Sequence, residues 1–194
     1  MPVSTVLLAA VFLLCCTGAL DKTCRRLRIS TGGVAALAVL LAILSRLESP
    51  AGEHLLAHPA YLAALLAGLL LCWNRRRFPY TLLVAMASGV CAWALQCIYP
   101  NVYEPGLLYG IVPAVLGRFL LRGNRQGLLC VLIAPLFFGL LVTAEVWYLF
   151  DYVTFALGDP LQFDMMACGA VLYGLLMYLP KPLAKLGRAA EKEG

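Results

Sequence analysis

Charged side chains are scarce in this chain, and histidine is almost missing. Asp, Glu, Lys and Arg make up 13% of the 194 residues, while 62% are hydrophobic. A soluble domain is about a quarter charged. A water-soluble fold of this size would lack the polar surface to cover so much apolar mass. Lipid removes that requirement, because it solvates apolar side chains directly. No long polar stretch divides the chain, so one domain is expected and a separate soluble domain is excluded. The net charge of +5 sits in four clusters between apolar runs. A nucleic-acid partner would need a solvated basic surface, and the clusters do not form one.

Reactive constellations are also lacking. The chain has no H-E-x-x-H, no paired-glutamate protease motif, no G-x-x-x-x-G-K phosphate loop and no dinucleotide fingerprint. Its eight cysteines, Cys15, Cys16, Cys24, Cys72, Cys91, Cys97, Cys130 and Cys168, show neither C-x-x-C nor a zinc spacing with histidine. Most lie in apolar runs, where a thiol acts as a small hydrophobe. Ala87-Ser88-Gly89 is similar to the serine motif of rhomboid intramembrane proteases. That chemistry needs a later histidine base, and none follows His58. His54 and His58 lie four residues apart beside Glu53, too few ligands for a metal site, and Pro59 limits any helix there. No enzyme activity, cofactor or metal is expected.

What the chain does contain is seven apolar runs, over 2–20, 31–47, 57–73, 78–98, 106–121, 127–150 and 163–179. A spanning helix needs about 20 mostly apolar residues, within a range of about 17–25. In hydrocarbon a helix pairs its backbone groups within itself, which an isolated strand cannot do. The runs are too long and too evenly apolar for a membrane barrel. The first is read as an uncleaved anchor rather than a signal peptide, since its basic residues follow the apolar core.

The basic residues decide orientation. Lys22, Arg25, Arg26 and Arg28 fill the first connection, Arg75 to Arg77 the third, Arg118, Arg122 and Arg125 the fifth, and Lys181, Lys185, Arg188 and Lys192 the tail. The other three connections hold one basic residue, Arg46, beside Glu48, Glu53, Glu104, Asp151, Asp159 and Asp164. Lys and Arg are retained on the cytoplasmic side. The alternation therefore predicts seven spans over 1–180 with the N-terminus outside, followed by a basic cytoplasmic tail over 181–194. Aromatic residues agree: Tyr99, Tyr103, Trp147, Tyr148 and Tyr152 mark the outer ends, and Trp73, Phe78, Tyr80 and Tyr178 the inner ends.

Four residues stand out as candidates for transport or binding. Glu145 is the carboxylate placed well inside a run. It reads either as a proton or cation site, or as a group reaching the interface or bonded to a neighbouring helix. Arg118 reads as a ligand for an anionic headgroup or substrate, or as a cation snorkelling to the inner interface. Pro113 and Pro135 share a spacing, Ile111-x-Pro113-x-x-x-Gly117 and Ile133-x-Pro135-x-x-x-Gly139. Paired kinks of that kind can open a cavity or hinge. The pairs Ala64/Gly68, Ala85/Gly89, Gly106/Gly110 and Ala170/Gly174 predict close helix packing.

Ala19-Leu20-Asp21-Lys22 before Leu27-Arg28, Leu108-Tyr109-Gly110 leading to Gly117-Arg118, and Gly158-Asp159-Pro160 before Phe163-Asp164 and Gly169 recur in that order. In these pieces the chain resembles an uncharacterised family of bacterial multi-pass membrane proteins, domain of unknown function 1614. It departs in Leu65 to Leu71, which lacks that family's Gly-Gly and later proline. The resemblance implies a bacterial cytoplasmic membrane location and no particular chemistry. The expectation is an all-α bundle that binds partners or organises a membrane process, with membrane lipids, other membrane proteins or further copies of itself as partners. The alternative is a small transporter or substrate-binding subunit using Glu145 and the two prolines.

Overall fold

A computed structural model describes residues 3–45, 47, 55–100, 105–150 and 155–179. Its helices are α1 (Val3–Cys16), α2 (Asp21–Leu27), α3 (Thr31–Leu44), α4 (Pro59–Cys72), α5 (Phe78–Ile98), α6 (Pro105–Leu120), α7 (Asn124–Phe150) and α8 (Pro160–Leu176). Every predicted apolar run contains one helix, and α2 occupies the first basic connection. The all-helical expectation needs one addition. Strands β1 (Leu55–Ala57) and β2 (Phe155–Leu157) pair in parallel, Leu55 opposite Phe155 and Ala57 opposite Leu157. The His58 N–H extends the ladder to the Leu157 carbonyl at 2.9 Å.

Helix ends differ from the predicted ones for local reasons. α1 stops at Cys16, before Gly18 takes a left-handed turn with φ of 73°. α3 begins at the Ser30 cap, whose hydroxyl accepts from the Gly33 N–H, and ends at Leu44. Proline opens α4 and α8, where its missing N–H costs nothing. Two helices, α5 with 21 residues and α7 with 27, are long and apolar enough to cross a membrane. Counting α1 and α2 as one span across their 98° bend makes three. α3, α4, α6 and α8 are apolar helices of 14 to 17 residues.

The most extensive helix contacts join α6 to α8 and α5 to α7; α4 then packs on α7. Glycine makes the closest of them. A Cβ on Gly110 would stand 2.8 Å from the Met165 carbonyl and 2.9 Å from the Gly169 nitrogen. One on Gly89 would stand 2.9 Å from the Ala134 carbonyl. These two pairs behave as the spacing predicts. α1 and α3 pack mainly on each other, and reach the rest through α1 on α8 and α3 on α4. That arrangement leaves a cleft between the hairpin and the bundle.

Contacts segregate by end. At one end the Ser4 N–H donates to Asp164 at 2.8 Å, near the β1–β2 pair. At the other, Arg125 reaches the Leu27 and Arg28 carbonyls, both at 2.7 Å. The segment after α1 thus meets the start of α7, while the start of α1 meets the start of α8. Exposed aromatics mark both ends: Trp147 and Tyr148 at one, Trp73 and Tyr80 at the other. The predicted tail 181–194, together with Arg46, Glu48, Glu53, His54, Tyr103, Glu104, Asp151 and Tyr152, lies outside the described residues.

The α6–α8 contact yields a direct test. Gly110→Ala drives a methyl group into the backbone of α8, an overpacking expected to cost about 1–3 kcal/mol. Gly32 has no neighbour within 4 Å of an added Cβ, so Gly32→Ala should unfold at the wild-type temperature or above. Thermal unfolding of the detergent-solubilised proteins compares the two. Equal stability of Gly110→Ala and wild type would mean that α6 and α8 are not this close.

Candidate functional site

Arginines build the end of the bundle where α2 lies. α2 is a seven-residue helix that turns Thr23, Cys24 and Leu27 inward and leaves Lys22, Arg25 and Arg26 exposed. It ends on Arg28 in the left-handed conformation, with φ of 56°. There the Arg28 N–H bonds Arg25 and the Ile29 N–H bonds Cys24, closing the last turn. Arg125 of α7 covers the carbonyls left over. α8 is capped by two arginines. Arg26 donates to the Met177 carbonyl at 2.6 Å and lies 4.7 Å over the Tyr178 ring. Arg118 donates through Nε to Leu176 at 2.9 Å and through Nη2 to Leu179.

Arg118 is therefore a buried clamp, 5% exposed. The carbonyls at the end of α8 complement its charge with the negative end of a helix dipole. Its Nη1 is buried with no partner among the described residues. Nothing in the sequence marked this role, since the acceptors lie about 60 positions away on another helix.

Glu145 is at the far end of α7. Helical rise puts it about 27 Å from Gly127, which touches Gly117 one residue before Arg118. The two candidate charges thus cannot share a site. Glu145 is exposed, and Trp93 Nε1 donates to its Oε2 at 2.8 Å. It lines neither principal cavity. Pro113 and Pro135 are fully buried within continuous helices and line neither cavity. The glycines of their shared spacing make helix contacts: Gly117 on the Gly127 backbone, Gly139 on the Gln162 side chain. The repeat serves packing.

Ser88 is also a packing residue. Its buried hydroxyl donates back to the Val84 carbonyl at 2.7 Å. Among the described residues no three metal-ligating side chains converge. His58 precedes α4 and stacks on Phe163 with ring centroids 5.7 Å apart, and its predicted neighbour His54 is outside the described residues. All eight cysteines are free.

The opposite end, beside the β1–β2 pair, carries acids. Asp159 caps α8 by accepting from the Gln162 N–H at 2.6 Å. Gln162 in turn accepts from the Gly158 N–H at 2.7 Å. Gly158 has φ of 81° and packs its Cα against Tyr61, leaving no room for a Cβ. Burial pushes the Asp159 carboxyl above the ordinary carboxylate range, and nearby Asp164 adds to the effect. A notch of about 130 Å³ adjoins Asp159 and Gln162.

A cleft of about 470 Å³ lies between the α1–α3 hairpin and helices α4, α7 and α8. Its walls are aliphatic: Leu8, Val11, Leu37, Leu132 and Val171 are typical. Polar groups meet it mainly at the α2 end, where the hydroxyls of Thr23 and Tyr178 share a hydrogen bond of 2.6 Å. Of the small-residue pairs predicted to bring helices together, Ala64/Gly68 does so, since a Cβ on Gly68 would run into the Leu132 side chain of α7, while Gly174 of Ala170/Gly174 faces this space.

No protein-family model, curated protein or solved structure matches the chain. The site is thus argued from its own geometry.

Two substitutions test that geometry. Arg118→Ala leaves the last carbonyls of α8 without their buried donor, which is expected to cost about 1–3 kcal/mol. Arg75→Ala, in an exposed turn, should leave unfolding unchanged. Similar unfolding temperatures for the two would exclude the clamp. Asp159 gives a dependence on pH. Its carboxyl is raised in the fold, so its stabilising effect is full below the ordinary carboxylate range. That effect is lost as pH rises through the raised value. Asparagine caps as well as aspartate without the buried charge. Asp159→Asn should therefore unfold at a higher temperature than wild type at neutral pH, and the two should converge under acid conditions. A constant gap across that range would contradict the assignment.

Proposed function

We propose that this is a multi-pass protein of the bacterial cytoplasmic membrane that works without catalysis, by binding lipids and other membrane proteins within the bilayer. In this reading its seven apolar helices cross with the N-terminus outside and the tail in the cytoplasm. The segregation of contacts by end supports that topology. Arginines of the first and fifth connections meet at one end of the bundle, while acids and the β pair gather at the other. Short helices such as α3 and α4 are accommodated by local thinning of the bilayer at modest cost. The resemblance to an uncharacterised bacterial multi-pass family points to the same location.

One observation carries the functional reading: the cleft is lined by apolar side chains, while Glu145 sits outside it, bonded to Trp93. A proton- or cation-coupled transporter needs its ionisable group in a polar cavity near the midplane. Here the space is apolar and the carboxylate is at the periphery. Vesicles reconstituted with wild type or Glu145→Gln should both show background proton and cation flux. A flux that wild type supports and Glu145→Gln loses would transfer the function to transport. In cells, a reporter fused to the C-terminus should be active in the cytoplasm only; activity outside would reverse the topology.

A further inference from the structure

We propose that the cleft holds one acyl chain of an anionic membrane lipid, with the lipid headgroup at the basic rim made by α2. The inference rests on the membrane reading above and names its ligand.

The walls exclude most other ligands. A volume of about 470 Å³ falls within the range of small-molecule sites, about 300–1,000 Å³. Yet such sites fix their ligands with several placed polar groups, and these walls offer almost none. Water gains nothing there either, since a buried water needs two or more polar partners. An alkyl chain asks only for apolar contact.

The space arises from missing side chains. Gly174 on α8, beside Ala170, leaves open what a larger residue would fill, whereas Gly68 on α4 packs closely on Leu132. A Cβ on Gly174 would meet one atom, Thr23 Cγ2, at 3.9 Å.

The inner end has different chemistry. α2 is bent 98° away from α1, so it lies across the end of the cleft. Thr23, Cys24 and Leu27 form part of the wall. Lys22 and Arg25, with Arg28 just beyond the helix, are exposed at this rim, and Arg26 reaches over the Tyr178 ring that lines the cleft. Asp21, the acid of this helix, is engaged by the Thr31 hydroxyl at 2.7 Å. A lipid entering chain-first places its ester zone beside the Thr23–Tyr178 pair. Its phosphate then lies among the cations of α2, where attraction selects a net negative headgroup.

The test uses the full chain, purified in detergent and exposed to equal amounts of phosphatidylglycerol and phosphatidylcholine with the same acyl chains. Native mass spectrometry should find one retained lipid per chain, with phosphatidylglycerol preferred. Gly174→Leu fills the inner part of the cleft. Excluding roughly two methylenes should weaken retention about tenfold, with no loss of thermal stability. Lys22→Gln with Arg25→Gln should keep one lipid and lose the preference. A phosphatidylglycerol bearing a diazirine on its chain should label Val11 and Leu175. No retained lipid, equal retention of both lipids by wild type, or retention unchanged in Gly174→Leu overturns the proposal. So does a dimer that Gly174→Leu separates, which would give the cleft to a second copy. If Gly174→Leu does not fold, the diazirine decides on wild type. Label confined to the cleft supports the proposal, and label centred on the exposed Leu70 and Leu83 overturns it. Flux in the vesicles described above is read independently. An empty cleft without flux defeats this inference alone, whereas flux lost in Glu145→Gln defeats the functional reading.

Discussion

Helix-end carbonyls must find donors wherever water is scarce, and guanidinium groups meet that demand at the α2 end of this protein. The last four carbonyls of a helix have no partner within it. Arg118 and Arg26 take those of α8, and Arg125 takes those of α2. A planar fork can serve two carbonyls at once, as Arg118 and Arg125 both do; a lysine ammonium lacks that rigid geometry. Among the described residues these arginines meet carbonyls where a carboxylate partner might have been expected. The negative end of the helix dipole is then the available compensation. Because Arg125 holds α2, and α2 joins α1 to α3, the hairpin's position follows from the same contacts.

The other end uses the opposite sign. Asp159 caps the start of α8, and Asp164 in its first turns receives the Ser4 N–H. Acid at the start of α8 and arginine at its end both complement the dipole of that helix. The topology proposed above, with Lys and Arg retained on the cytoplasmic side, would ask for the same polarity. The β1–β2 pair adds a backbone tie between the segments that lead into α4 and α8, a junction where Gly158 packs directly on Tyr61.

Much of the helix inventory was legible in the sequence, because long apolar runs leave little choice but helix. Helix ends were less so. Gly18 stops α1 with a positive φ, and Pro160 with the Asp159 cap starts α8 earlier than the apolar run suggests. Three-residue strands carry no periodicity, so Leu55–Ala57 looked like the margin of the third apolar run and Phe155–Leu157 like part of a connection. Side-chain roles were hardest to read where the partner is remote in sequence. Trp93 is 52 positions from Glu145, and nothing local announces the pair. Small-residue pairs illustrate the limit well. Gly110 and Gly174 sit in equivalent patterns, yet one touches the backbone of α8 and the other faces a cleft. The difference is set by which helix arrives opposite, a fact of tertiary structure.

The cleft follows from these constraints taken together. The α1–α3 hairpin touches the bundle along two edges, α1 on α8 and α3 on α4, and is fixed at its inner end through α2. It cannot close on α4 and α8 without drawing α2 away from the carbonyl contacts of Arg125 and from the Thr23–Tyr178 pair. Small residues on the facing helices then leave aliphatic side chains without partners across the gap, which forfeits their dispersion contacts. In water such a gap would favour collapse of the hairpin onto the bundle. An alkyl chain of the kind proposed above would supply the missing contacts at no cost in hydration. Capping by arginine and the cleft are thus linked: the contacts that satisfy carbonyls also fix the hairpin beside that space.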